Sequence, residues 1–314
     1  MKIVIVGAGA MGSRFGFMLK QAGQDVALID GWDKNVEALQ KDGIIANYNG
    51  EEIQQPIEAY HEDAVDPELK ADLLIIFTKA MQLEATLQKT QAYTHNETRV
   101  LCLLNGIGYE DILRRYFDED QIIIGNTMWT AGLEGPGRPK LFGDGSVNLL
   151  NLGKSDAAVS GAHEVIDIFN EAGLNGVYEK GIFYLIYKKL CVNGTMNGLC
   201  TLLECNMAEL GATEANREIV QQLVSEIVAI AQAEDVEMSR EEMIAHVEEC
   251  YNPETIGLHY PSMYQDLIKN NRSTEIDFIN GAIADKGEKY GIATPYNDFL
   301  TRLIHTKEEL LGAK

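Results

Sequence analysis

The first thirty residues constrain the fold of this chain most. Lys2 to Val6 is a short apolar run. Gly7-Ala-Gly9-Ala10-Met11-Gly12 follows, then a helical stretch, then Asp25-Val-Ala-Leu-Ile-Asp30. The order is buried strand, G-x-G-x-x-G turn, helix, second strand and terminal acid, and each part has a task in a dinucleotide site. Gly7 permits the tight turn off the strand. Gly9 leaves the backbone open to a pyrophosphate, and Gly12 lets the helix lie close to the sheet. The helix start at Ala10 and Met11 offers free N–H groups and a partial positive charge to phosphates. Asp30 stands roughly 20 residues past the turn, where a carboxylate can accept hydrogen bonds from both ribose hydroxyls of NAD. The plainer account is an α/β domain with a tight first turn and no cofactor. The motif's place between two strands at the N-terminus favours the dinucleotide site.

The chain has 314 residues, which suits two domains. Its net charge of −22 argues against nucleic acid or an anionic membrane surface as a partner. It also makes lysines in motif positions more informative. The five cysteines include no C-x-x-C pair, and most lie in apolar runs. They read as buried small hydrophobes in a reducing compartment. The six histidines show no metal-ligand spacing, so no metal is expected. The apolar start is too short for a signal peptide, and no apolar run approaches the roughly 18 residues of a membrane span. A cytoplasmic location is expected.

Up to about residue 180 strands and helices alternate. Strands are predicted at 2–6, 25–29, 73–78, 99–104 and 121–126, with helices after the glycine turn and through 33–41, 82–90, 109–116 and 159–172. Continuous apolar strands imply a parallel sheet covered on both faces. Residues 134–150 are turn-rich, and Val147 to Leu152 reads as an antiparallel strand at the sheet edge. From 182 onward the pattern is helical, through 182–203, 213–234, 239–250, 275–290 and 296–311. The fold class is thus α/β plus all-α: a doubly wound Rossmann domain over 1–181 and a helical domain over 182–314, with a small-molecule cleft expected between them.

Three strand ends carry polar residues: Lys79, Asn105 and Asn126. Ligands of open α/β sheets bind beyond the carboxyl ends of the strands, which favours Lys79 and Asn105 over ordinary loop capping. On the helix from 182, Lys189, Asn193 and Asn197 recur at a spacing of four, so they share one face. Gly194 and Gly198 beside them leave room for a ligand or another backbone. Such a polar row on an apolar helix is costly to bury without partners; a stripe hydrogen-bonded between domains is the alternative. Ser262 begins a helix after His259-Tyr260-Pro261, a place that suits a carboxylate ligand. Glu275 lies in a first helical turn, where surface acids are common.

Together these segments resemble the ketopantoate reductase family over the whole chain. The resemblance is carried by Gly7 to Gly12, Thr78-Lys79-Ala80, Leu104-Asn105-Gly106, Lys188-Lys189-Leu-Cys-Val-Asn193 with Asn197, Pro261 to Asp266, and Thr274-Glu275-Ile-Asp-Phe-Ile-Asn280-Gly281. It implies hydride transfer from a reduced nicotinamide to a 2-oxo acid, giving a D-2-hydroxy acid. It implies Lys189 as general acid and Glu275 as the acid that accepts from Lys189 or a substrate hydroxyl. Asn193 and Asn197 would bind the substrate's oxygens and Ser262 its carboxylate. Lys79, Asn105 and Glu275 would line the cofactor and substrate edge. Family members are often dimers, so a homodimer is expected.

Two departures bear on specificity. Many members carry a basic residue near the end of the second strand and use NADPH; here Asp30 would repel a 2′-phosphate, so NAD is expected over NADP. The loop His259-Tyr260-Pro261 is aromatic where many members are small or polar, which places His259 among the substrate-binding candidates. Both point to the branch resembling D-2-hydroxyacid dehydrogenases of the D-mandelate type, acting on branched or aromatic 2-oxo acids. The alternative is 2-dehydropantoate reduction to D-pantoate, and a remote one is a non-catalytic NAD(H) sensor.

Overall fold

The computed structural model describes residues 1–313. In chain order the first part comprises β1 (Lys2–Val6), α1 (Ala10–Gln21), β2 (Asp25–Asp30), α2 (Asp33–Asp42), β3 (Ile44–Tyr48), β4 (Glu51–Gln55), β5 (Glu58–His61), β6 (Leu73–Ile76), α3 (Leu83–Thr90), β7 (Arg99–Cys102), α4 (Tyr109–Leu113), β8 (Ile122–Thr127), β9 (Thr130–Gly135), β10 (Arg138–Phe142), β11 (Val147–Asn151), α5 (Asp156–Glu171) and β12 (Gly176–Tyr178). Eight strands form one sheet in the order β12-β11-β8-β7-β6-β1-β2-β5. From β5 to β8 every pairing is parallel. The order reverses between β1 and β6, the switch point where open α/β sheets take their ligands. Ile3, Ile5, Leu73, Ile75 and Leu101 are fully buried, as the continuous apolar runs require of a sheet covered on both faces.

Two expectations need correction. The strand β11 is antiparallel to β8, but it is not the edge, because β12 pairs outside it. The turn-rich stretch is also more ordered than its glycines and prolines suggest. It contains β10, which joins β9 as a hairpin, and with β3 and β4 they build a second sheet in the order β4-β3-β10-β9. Arg14 of α1 ties that hairpin down. Its buried guanidinium donates to the Thr130 and Phe142 carbonyls at 2.6 and 2.9 Å and lies 4.0 Å over the Trp129 ring.

The second part is helical: α6 (Ile182–Leu203), α7 (Met207–Gly211), α8 (Asn216–Ala233), α9 (Arg240–Glu249), α10 (Ser262–Tyr264), α11 (Ala282–Tyr290) and α12 (Pro295–Leu311). Two segments are π-helical, Gln265–Lys269 and Asp277–Gly281. The chain divides into two compact units. One is Met1–Leu104 with Tyr109–Ile182; the other is Phe183 onward, joined by the loop Asn105–Gly108. No helix among the described residues is long and apolar enough to cross a membrane, and no cluster of candidate metal ligands occurs among them.

Candidate functional site

In the sheet unit the glycine turn sits at the switch point. Gly7 has φ +94°, and a Cβ there would lie 2.6 Å from the Phe77 carbonyl carbon and 2.7 Å from the Thr78 nitrogen. The turn is thus pressed against the chain leaving β6. Gly12 meets the turn from the helix side, since its Cβ would fall 1.9 Å from the Gly7 oxygen. Gly9 faces open space, with nothing within 4 Å of a Cβ. Ala10 and Met11 open α1 and are half-buried. The three glycines thus take three different places: one bends the chain, one faces open space, and one packs the helix against the turn.

Lys79 is half-buried at the start of a short 3-10 turn, Ala80–Gln82. Beside it the Thr78 hydroxyl is buried with no hydrogen-bond partner. An orphaned hydroxyl at a switch point, next to a turn left open at Gly9, fits a polar cofactor.

Asp30 ends β2 and accepts the Trp32 N–H at 2.8 Å. Burial raises its carboxyl above the usual 3.8, opposed by the Trp32 and Ala8 N–H groups and by the Asn35 amide, while the Glu62 carboxylate adds to the rise. Glu62 comes close, with its carboxylate 3.1–3.4 Å from where a Gly31 Cβ would stand. Lys89, the cation beside it, is already held by Glu62 at 2.9 Å and Asp63 at 2.6 Å. The end of β2 is therefore an acidic corner.

In the helical unit, Lys189 lies on α6 and is partly exposed. Burial lowers its pKa from the usual 10.5, and the Glu275 carboxylate pulls the other way. Glu275 is buried, at 7% exposure, so it is not the surface acid that its place before a helix suggests. The Asn193 and Asn197 side chains make no hydrogen bond with any described residue, although Asn197 is 5% exposed. Two unpaired amides one turn apart, in line with an ammonium, form a row with hydrogen-bonding capacity to spare.

Gly194 and Gly198 do not make room for a ligand. A Cβ on Gly194 would meet Ile227 at 2.9 Å, and one on Gly198 would meet Leu300 at 2.7 Å. They let α8 and α12 pack close to α6.

The loop carrying Asn105 docks on the π-helix that follows Glu275. The Ile107 N–H donates to the Phe278 carbonyl at 3.0 Å. Gly106, at φ +92°, makes this possible, because any Cβ would sit 2.0 Å from that carbonyl oxygen. The structure thus brings Asn105, Glu275 and Lys189 into one unit.

Asn126 serves the sheet instead. It is buried in β8, and its Oδ1 accepts from Asn148 at 3.0 Å. Ser262 and His259 are exposed, and their side chains make no hydrogen bond with a described residue. Nearby, Tyr260 and Tyr264 pack with ring centroids 4.4 Å apart.

Sequence reasoning missed Asn35, Thr78 and Asn280. Thr78 and Asn280 lie inside the motifs quoted above, but nothing local marks their side chains.

Known proteins resemble the chain from end to end. The family model described as Ketopantoate reductase PanE/ApbA matches residues 3–154, and its C-terminal counterpart matches 182–308. A 2-dehydropantoate 2-reductase of Lactococcus lactis is 55% identical, with all of both chains covered. One of Streptococcus pyogenes is 45% identical over 99% of each. Among solved structures, D-mandelate dehydrogenase in a ternary complex with NADH and anilino(oxo)acetate is 56% identical over the whole of both chains, with a TM-score of 0.95.

Proposed function

The chain belongs to the ketopantoate reductase family, and from that membership we propose that it reduces the carbonyl of a 2-oxo acid to the D-2-hydroxy acid with a nicotinamide cofactor. The observation that carries this reading is the row on α6: an ammonium at Lys189 paired electrostatically with buried Glu275, followed by the unpartnered amides of Asn193 and Asn197. When bound, the reduced nicotinamide supplies the hydride. Negative charge then grows on the carbonyl oxygen, where Lys189 stabilises it and gives up its proton. A lowered pKa makes Lys189 a better acid for that step. Glu275 keeps the ammonium charged and aimed. Asn193 and Asn197 donate to the substrate's oxygens, and Ser262 holds its carboxylate. The sheet unit would hold the cofactor, with Gly7, Gly9 and Gly12 around the pyrophosphate, Asp30 at the ribose and Lys79 along its edge, and Asn105 of the helical unit would add to that edge.

NAD is the better fit. Asp30 and Glu62 together would repel a 2′-phosphate, and Lys89 is already engaged by two carboxylates. The D-mandelate dehydrogenase resembling this chain was solved with NADH. A preference for NADH over NADPH of about tenfold or more in kcat/KM, about 1.4 kcal/mol, is expected; parity would overturn it.

For the substrate, the relatives' names support 2-dehydropantoate better than the branched and aromatic acids that the sequence favoured. The second reading, an aromatic or branched 2-oxo acid, is favoured by the D-mandelate dehydrogenase likeness and by the Tyr260–Tyr264 pair beside Ser262. Steady-state kcat/KM with NADH for 2-dehydropantoate against phenylglyoxylate decides between them. A preference of about 100-fold either way, about 2.7 kcal/mol in transition-state binding, assigns the substrate. No turnover of either, with tight NADH binding, would point to a sensor.

A further inference from the structure

Asn35 stands in the first turn of α2, five residues past Asp30. Its side chain is fully buried. Nδ2 donates to the Ala8 carbonyl at 3.0 Å, and the amide lies near enough to Asp30 to favour its ionised form. Oδ1 accepts the Gly137 N–H at 2.8 Å. One side chain therefore joins two places far apart in sequence, the glycine-rich turn at Ala8 and the tip of the β9–β10 hairpin, beside the acid that ends β2. The hairpin tip is fixed from its other side too, because the Gly137 carbonyl accepts the Ile45 N–H at 2.8 Å.

A carboxylate can grip two ribose hydroxyls only if its plane is held. The Trp32 N–H fixes one oxygen of Asp30. Asn35 sets its amide beside Asp30 and holds the Ala8 turn, from a side chain whose two ends are both tied to backbone. Removing that amide would leave the Gly137 N–H buried without its acceptor and the Ala8 carbonyl without this donor.

We propose that Asn35 is a positioning residue for the adenosine half of the dinucleotide, holding the Ala8 turn in place beside Asp30 from an anchor on the Gly137 hairpin. This rests on the nicotinamide-cofactor reading above. It adds that the second sheet contributes to cofactor affinity.

The test is a fluorescence titration of NADH and of reduced nicotinamide mononucleotide, which lacks the adenosine half. It compares the unaltered protein with Asn35→Ala and Asn35→Asp, each with its Tm recorded. Asn35→Asp retains an oxygen for the Gly137 N–H but cannot donate to Ala8. Both variants are expected to bind NADH roughly tenfold more weakly, about 1.4 kcal/mol, and the mononucleotide within about twofold of the unaltered protein. A merely structural role would weaken both ligands alike or neither, and either result would overturn the proposal. Failure of both variants to fold would overturn it as well, making Asn35 a residue of the fold alone. If the unaltered protein bound no NADH, the cofactor reading itself would fall, and this inference with it.

Discussion

The Asn280 amide donates to the Gly194 carbonyl at 2.7 Å, fastening the π-helix after Glu275 to the helix that carries Lys189, Asn193 and Asn197. The same amide donates to Asn297 Oδ1 at 2.8 Å. Asn297 in turn is held by Glu226, whose carboxylate accepts from its backbone N–H at 2.9 Å and its side chain at 2.6 Å. All three side chains are buried. Buried networks of this kind fix one arrangement of the elements they join, and π-helical turns are frequent at functional sites.

Replacing Asn280 should therefore affect both stability and turnover. Asn280→Ala removes two buried hydrogen bonds and leaves Asn297 Oδ1 without this donor, a cost of about 2–3 kcal/mol. The expected result is a clear fall in Tm by calorimetry together with a kcat lowered several-fold. A variant with unchanged kcat would mean that the bond to Gly194 does not set the position of the Lys189 row.

Lys189→Ala should lower kcat on the order of 10²–10⁴-fold, the usual worth of a positioned general acid. Its NADH affinity should stay nearly unchanged, because the residue belongs to the substrate's carbonyl rather than to the dinucleotide. Intact turnover would show that the proton comes from elsewhere.

The pH dependence of reduction follows from the same pair. Lys189 must be protonated to act, and burial places its pKa below 10.5 despite Glu275. Reduction should fall as pH rises through that lowered value. Glu275→Gln removes the group that favours the charged form, so the alkaline limb should move to lower pH. A limb that stays in place or moves upward would separate Glu275 from the titration.

Gly106→Ala tests the loop that carries Asn105. The position has φ +92°, and the added Cβ would lie 2.0 Å from the Phe278 oxygen. Strain and a broken loop contact should cost about 2 kcal/mol or more, read as a lower denaturant midpoint with an unchanged slope. A variant as stable as the parent would show that the loop can dock another way.

Acid stability has an identifiable source in Glu234. Burial raises its carboxyl, but hydrogen bonds from Lys286, Tyr187 and Tyr290 outweigh this and hold it below 4.5. A carboxyl depressed by folding stabilises the native state above its unfolded pKa, and that contribution disappears as pH falls through the folded value. The unaltered protein should thus lose stability below about pH 4.5, and Glu234→Gln should lose less over the same range. Equal slopes for the two proteins in urea melts from pH 5 to pH 3 would contradict this assignment.

The parallel sheet was legible because its strands are continuous apolar runs, and α6 because twenty-odd mostly apolar residues pass without a proline. The second sheet was not. Its strands read IIANY, EEIQQ, TAGLEG and RPKLF, short and mixed in polarity, and β3 pairs with β10 across about ninety positions of sequence. Strand identity there is decided by distant partners, which a local pattern does not contain. The site divides the same way. Gly7, Gly12 and Asp30 announce themselves by spacing, since each answers to its neighbours in the chain. Asn280 answers to Gly194, 86 positions away, and Asn35 to Gly137, 102 positions away. The glycines of α6 left a ligand and a neighbouring chain segment equally open, because an absent side chain says that something comes close, not what; here it is Ile227 of α8 and Leu300 of α12.

The four residues Asn105–Gly108 belong to the helical unit although the chain reaches them directly from β7. That sets a rule for anyone who would cut or recombine this protein. A fragment beginning at Phe183 would take Phe278 without the Ile107 N–H that meets its carbonyl, so the obvious cut would leave a gap in the piece it was meant to isolate. Chimeras between relatives face the same restriction. A helical half exchanged alone would inherit a foreign tetrapeptide against its π-helix, and the two stretches should be transplanted as a matched pair.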